Sequence, residues 1–194
     1  MNIPRISLAL ETDRQRILST LACGFTADPL ARWFYPEAHE YLNCKPFFDA
    51  FCGGAIGAGS SYRSENYEGA AMWFPPSSGP DEEKFIEHLE TTIRKEILED
   101  CFRLLELMGE HRPTEPCWYL AVIGVDCAYQ GAGFGAELMK YALKRIDTAR
   151  LPSYLEASSP RNMALYKRHG FEEMGVIQFG SSPPIVPMFR FPKT

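Results

Sequence analysis

The stretch QGAGFGA at residues 130 to 136 sets Gly131, Gly133 and Gly135 at alternate positions. It lies between the apolar run CWYLAVIGV at 117–125 and the amphipathic stretch GFGAELMKYALKRIDTA at 133–149. A helix N-terminus has four N–H groups without intrahelical partners and carries roughly +0.5 of a charge, so it favours an anion. Glycines there remove the Cβ atoms that would keep an anion at a distance. Gln130, Gly131, Ala132, Gly133, Phe134, Gly135 and Ala136 therefore predict a phosphate cradle, with successive backbone N–H groups aimed at a diphosphate. Two further places set polar side chains on regular elements. Glu156 stands in the strand-like SYLEAS, and Asn162 and Tyr166, four apart in PRNMALYKRH, share one helical face.

Three nucleotide-binding classes use such a cradle. The phosphate-loop pattern G-x-x-x-x-G-K-[ST] is absent, because no Lys-Ser or Lys-Thr follows the glycines. A dinucleotide fingerprint, G-x-G-x-x-G/A, can be written on Gly131, Gly133 and Ala136. That fold turns from strand to helix at its first glycine, whereas here residues 126–130 intervene, and it needs further βαβ repeats that the first half does not offer. A bare strand-to-helix turn is the plainest alternative, but a turn rarely needs three alternate glycines.

The elements that must hold these residues follow from periodicity. CWYLAVIGV reads as a buried strand, 133–149 as a helix and SYLEAS as another strand, a βαβ unit with parallel strands and a right-handed crossover. PRNMALYKRH starts a helix at Pro160 that Gly170 ends at C′. FEEMGVIQF and PIVPMFRF predict a final strand pair, with Pro187 placing the last at an edge or a bulge. Upstream, RISLAL alternates like a first strand, and residues 11–25 form a helix capped by Thr12 or Asp13. Pro29, Pro36 and Pro46 break residues 27–59 into short helices. This segment holds Trp33, Phe34, Tyr35, Tyr41, Phe47, Phe48 and Phe51, mostly core, with some expected to line an acceptor pocket together with Trp73. SSYRSENYEGAAMWFPP gives two strands around a polar turn, and the loop SSGP leads into one acidic helix. Phe85, Leu89, Ile93, Ile97, Cys101, Leu105 and Met108 form its apolar stripe, with Asp81, Glu82 and Glu83 in its first turn. No internal repeat or linker appears, so residues 1–194 are expected to form a single domain.

The net charge is −5, and ten acids against four bases fall between residues 81 and 110, the solvated face of that acidic helix. A nucleic-acid or anionic-membrane partner is therefore not expected. The cysteines show no C-x-x-C pair and the histidines no metal-ligand spacing, so no metal is expected and reduced thiols in a cytoplasmic compartment fit best. The N-terminus lacks a secretory pattern, and no apolar run approaches the roughly 20 residues of a membrane span.

Gln130, Gly133 and Gly135 match R/Q-x-x-G-x-G/A, which resembles the signature of the GNAT superfamily of N-acetyltransferases, with Gln130 where arginine is commoner. NMALYKRHGF resembles the same family's N-x-x-x-x-Y ending. A closer likeness, through HRPTEPCWYLAVIGV and LEASSPRNMALYKRHGF, is to the puromycin N-acetyltransferases and their bacterial relatives. Its strong part covers about residues 111 to 172, so it does not fix the acceptor. The resemblance implies an α+β fold with a mostly antiparallel sheet of about seven strands, a splayed parallel pair and helices on both faces. It implies acetyl-coenzyme A (acetyl-CoA) as cosubstrate, with pantetheine between the splayed strands, Asn162 on the pantetheine arm and Tyr166 near the sulfur as general acid. It implies a bulge as well, placed here around Ile123, Gly124 and Val125, whose freed N–H groups would meet the developing oxyanion. Glu156 is the candidate base for the acceptor amine, directly or through water. The expected acceptor is a small-molecule or peptide amine, and the protein a monomer or homodimer. Cys127 as an acyl-enzyme nucleophile and His169 as a catalytic group are the weaker choices, and a non-catalytic acyl-CoA sensor is the alternative from another class.

Overall fold

Apolar residues on both faces of two runs, 69–74 and 118–125, make them the centre of a sheet covered on each side. The computed structural model describes residues 5–76 and 78–193. Within them the strands are β1 (Ile6–Leu8), β2 (Ser61–Ser64), β3 (Gly69–Phe74), β4 (Trp118–Val125), β5 (Ser153–Ala157), β6 (Glu172–Glu173) and β7 (Val186–Arg190). They form one seven-stranded sheet in the order β1-β2-β3-β4-β5-β7-β6. Only β4 and β5 run parallel. A single parallel pair excludes the repeated βαβ sheet of a dinucleotide fold.

Alternation along β3 divides the core. Ala70, Met72 and Phe74 join the cluster of α1 (Arg14–Gly24), α2 (Pro29–Phe34) and α4 (Lys45–Cys52). Ala71 and Trp73 join that of α8 (Phe134–Thr148) and α9 (Pro160–Arg168) on the other face. Short α3 (Ala38–Tyr41) and α5 (Gly54–Gly57) complete the proline-broken segment. Gly24 ends α1 against the backbone of β4, where a Cβ would lie 2.9 Å from both Val125 N and Val125 O. We expect Gly24→Ala to destabilise the fold by about 1–3 kcal/mol, read by urea unfolding, because neither backbone can yield cheaply.

Several expectations need correction. The acidic helix is two, α6 (Glu82–Thr92) and α7 (Lys95–His111), with Ile93 and Arg94 extended between them. Thr91, Thr92 and Ile93 are β-branched, and the two threonine hydroxyls hydrogen-bond carbonyls of the preceding turn, so helix propensity is weakest there. Asp81 is the N-cap of α6, accepting from Lys84 N–H at 3.1 Å. The break also re-phases the stripe, so that Leu104 is buried and Leu105 only partly. The loop SSGP begins at Ser77, outside the described residues. Asp13 starts α1 without a side-chain cap. Its carboxylate instead accepts from Tyr67 OH and Leu10 N–H and pairs with Arg63.

Pro187 is not on an edge, since β7 lies between β5 and β6. Its carbonyl accepts from Met174 N–H on the β6 side. N and C=O of one strand residue point the same way, so its missing donor faces the end of the two-residue β6 and leaves the β5 ladder intact. Strand β6 is far shorter than the run FEEMGVIQF, which continues only as the bridge Ile177–Ile185.

Candidate active site

The cradle forms where β4 gives way to α8. Asp126 accepts from Ala128 N–H at 2.9 Å and starts a 3-10 turn at Cys127–Tyr129. Gly131 (φ +84°) and Gly133 (φ +94°, the N-cap of α8) take conformations that side chains disfavour. A Cβ on either would meet no atom within 4 Å, so the space above them is open. No side chain caps α8, and its first intrahelical bond runs from Glu137 N–H to the Gly133 carbonyl. The N–H groups of Phe134, Gly135 and Ala136 precede that bond and have no partner inside the helix. Ala132 turns its N–H to the Tyr129 carbonyl at 3.2 Å, and the Phe134 ring packs edge-on against Tyr129.

Parallel pairing of β4 with β5 covers only Trp118–Leu120 and Ser153–Leu155, after which the strands splay. The bulge lies at Ala121, earlier than expected: Met72 pairs with Val122 and Trp73 with Leu120, leaving Ala121 unmatched. It puts Ala121 and Val122 both toward the α1 side, with Leu120 and Ile123 toward α8. Asp126 N–H donates to Glu68 O on the β3 side. Backbone direction alternates along a strand, so the N–H groups of Ile123 and Val125 face the gap to β5 while that of Gly124 faces β3.

Two cavities meet in this gap. The first, about 310 Å³, is walled by Gln130, Gly131, Gly133, Gly135 and Ala136 of the cradle and by Ile123, Gly124, Val125 and Asn162. The second, about 90 Å³, is walled by Phe34, Phe47, Phe48 and Phe51 together with Tyr119, Glu156 and Tyr166. Phe25, Asp28, Ile123 and Asn162 belong to both. The fit of a nucleotide thioester rests on this continuity: a glycine cradle at one end, a slot between strands, and an apolar chamber at the other.

Around the second cavity, burial decides the protonation states. Tyr166 lies in the last turn of α9, and its carbonyl accepts from the His169 and Phe171 N–H groups that close the helix. Its ring packs edge-on against Phe171. Burial, with Asp28 nearby, pushes its phenol well above the ordinary value, so it stays protonated. Burial also raises the Glu156 carboxyl, against the opposing pull of Arg112 and of the Tyr119 and Tyr154 hydroxyls. Glu156 Oε1 is buried without a hydrogen-bond partner. Asp28 is raised by burial too, but both its oxygens are engaged: Oδ1 caps α2 at Leu30 and Ala31, and Oδ2 accepts from Ser158.

Asp28, Tyr119, Tyr154, Arg112 and Arg161 were not read from the sequence. Nothing local in the sequence distinguishes Asp28 from an ordinary N-cap before Pro29, or Arg161 from a solvent-exposed helix residue. Trp73 is fully buried beneath α8 and lines neither cavity. Trp33 instead donates to Ser181. His169 accepts through its carbonyl from Arg190 Nε and sets Nδ1 on the Leu165 carbonyl, a structural placement. The Cys127 thiol donates to the Cys23 carbonyl at 2.9 Å, and its sulfur lies 3.4 Å from Cys23 Sγ. Cys127→Ser is expected to leave kcat unchanged in a thiol-release assay. Among the described residues no cluster of metal-ligating side chains occurs, and no helix is long and apolar enough to cross a membrane.

A mixed sheet with one splayed parallel pair, a glycine cradle at the first of those strands and a cavity running between them defines an acyltransferase-type scaffold. The sequence profile of the acetyltransferase (GNAT) family matches residues 34–171, and the chain belongs to that family. An uncharacterized N-acetyltransferase of Schizosaccharomyces pombe is 23% identical over 202 residues, 94% of this chain and 81% of the relative. Among solved structures, one described as histone acetyltransferase HPA2 and related acetyltransferase from Corynebacterium glutamicum superposes with TM-score 0.68 at 22% identity, covering 98% of this chain and 97% of that one. Arylalkylamine N-acetyltransferase 2 from Aedes aegypti does so with TM-score 0.70 at 13% identity, covering 99% and 100%. A Drosophila melanogaster polyamine N-acetyltransferase that forms N-acetylagmatine gives 0.67 at 14%, covering 97% and 100%. At these identities the structural likenesses establish the fold.

Proposed function

We propose that the protein is an acetyl-CoA-dependent N-acetyltransferase that moves the acetyl group directly to a compact primary amine in a ternary complex. The observation that carries this reading is the meeting of the two cavities at Ile123 and Asn162, which leaves the donor carbonyl and the acceptor nitrogen one shared place. The cradle N–H groups receive the diphosphate, with Gln130 bracing the loop beneath them, and Asn162 receives the pantetheine arm. The thioester supplies an activated acetyl group. The gap-facing N–H groups of Ile123 and Val125 stabilise negative charge developing on its oxygen. Glu156 takes the proton of the amine through its unpaired Oε1, and Tyr166 protonates the departing thiolate.

The second cavity favours a narrow acceptor class. About 90 Å³, lined by phenylalanines, is well below the roughly 300–1,000 Å³ of drug-sized pockets, which suits a short apolar alkyl- or arylalkylamine better than a peptide. Relatives named for arylalkylamines and polyamines support a small amine. The puromycin-type likeness concerns the donor half and is not extended to the acceptor. We further propose a single catalytic domain, cytoplasmic, monomeric or homodimeric, and without nucleic-acid, membrane or metal partners.

Screening amines for thiol release from acetyl-CoA tests this. Turnover of phenethylamine-like or short alkyl amines, with little on peptides, is expected. CoA binding without turnover of any amine, aminoglycoside, nucleoside antibiotic or peptide would overturn the enzyme reading in favour of a sensor. Replacing Gly133 by Ala should raise the KM for acetyl-CoA at least about tenfold, because a φ of +94° disfavours the side chain and its Cβ would enter the cradle.

A further inference from the structure

The GNAT signature commonly has an arginine where this chain has Gln130, and Gln130 is already committed as a neutral strut. Its Nε2 donates to the carbonyls of Val125 (3.2 Å) and Gly24 (3.3 Å), and its Oε1 accepts from Arg161 Nη1 at 2.7 Å. Arg161, Leu165 and Arg168 stand at i, i+4 and i+7 on α9, and all three wall the cradle cavity. Beyond Arg168 the surface continues as a second hollow of about 710 Å³ between α8 and the chain end, with Lys144, Arg168 and Lys193 on its wall. Asp147, the carboxylate of that wall, is held by both Arg190 Nη atoms (2.7 and 2.8 Å) and by Lys193 N–H. Lys140 is paired with Glu137. Among the described residues no carboxylate lies within ion-pair distance of Arg161, Lys144, Arg168 or the Lys193 ammonium. In a chain of net charge −5, cations that have no carboxylate partner among the described residues and lead out of a phosphate cradle form a surface suited to an anionic ligand.

We propose that this groove recognises the nucleotide end of the donor in two parts. Arg161, held by Gln130, supplies the charge at the diphosphate, and Arg168 with Lys144 binds the 3′-phosphate of CoA, making the protein selective for free CoA thioesters over donors that lack that phosphate. The inference rests on the CoA reading above and assigns which side chains enforce it. Arginine suits both tasks, because its planar donor fork grips phosphate oxygens in pairs.

Calorimetric titration of the wild-type chain with CoA and with 3′-dephospho-CoA at low ionic strength provides the test. Wild type should bind CoA at least about tenfold tighter than the dephosphorylated form. Arg168→Ala should bring the two affinities to within about twofold of each other by weakening CoA alone, and Lys144→Ala should narrow the ratio part of the way. Arg161→Ala should weaken both ligands equally, by about tenfold, and keep the ratio. Arg161, Lys144 and Arg168 are exposed, so each variant should melt where the wild type does. Equal wild-type affinity for the two ligands, or an Arg168→Ala protein that keeps the wild-type ratio, overturns this assignment and leaves the donor reading standing. Failure of both ligands to bind removes both together.

Discussion

Tyr166→Phe should lower kcat for thiol release by about 10²- to 10⁴-fold, the usual contribution of a positioned proton donor, while CoA binds within about twofold of wild type. The substitution removes one oxygen and keeps the ring against Phe171, whose centroid is 6.1 Å away, so the melting temperature should hardly move. Because burial pushes the phenol well above its ordinary value, the wild-type rate should show no loss on the alkaline side from Tyr166 itself up to about pH 10. The split between kcat and binding is what makes the variant informative. A residue that only packed α9 onto the sheet would keep its kcat, its stability and its cofactor affinity alike, because phenylalanine preserves the packing ring. A Tyr166→Phe enzyme with wild-type kcat would remove the proposed acid, and an alkaline limb that vanished in the variant would contradict its burial.

How far this site was legible in the sequence depends on whether its determinants are local. The cradle could be read because each part lies within residues 117–149: an apolar run, glycines where φ is positive, and a 3.6-residue period after them. The helix of Asn162 and Tyr166 is equally plain, with Pro160 at its front and Gly170 at its end. The bulge was misplaced because register is a relation between β3 and β4, and nothing in the residues around Ala121 marks the one left unmatched. The second cavity is the hardest part to read. Phe34, Phe47 and Phe48 come from the proline-broken helices, Tyr119 and Glu156 from the two splayed strands, and Tyr166 from α9, so only the folded chain gathers them. Arg161 is silent for a different reason: a lone exposed arginine on a helix has the same sequence appearance whether it faces bulk water or a phosphate.

Glu156→Gln should produce the other large effect, a fall of about 10²- to 10⁴-fold in kcat/KM for an amine acceptor, accompanied by a gain in thermal stability. Both follow from one fact, that the folded protein holds this carboxyl above its ordinary range. As a base, Glu156 works only when ionised, so the wild-type profile should include an acid limb that rises through the raised pKa of Glu156. The glutamine variant should lack that limb. For stability the sign is reversed. Between the ordinary and the raised value the folded chain binds more protons than the unfolded chain, so unfolding free energy declines as pH increases through that window and stays low above it. An uncharged amide of the same shape escapes this loss. The variant should therefore melt higher than wild type at neutral and alkaline pH, with the difference shrinking as acid protonates the wild-type carboxyl. Asp28, whose oxygens are already committed to α2 and Ser158, offers no comparable free acceptor, and Asp28→Asn should keep the acid limb. Melting curves across pH, paired with kcat/KM profiles, separate the two carboxylates. A Glu156→Gln protein that is active with an unchanged profile, or one that melts lower at alkaline pH, would mean that the buried charge is held by Arg112 as structure and that another group receives the amine proton.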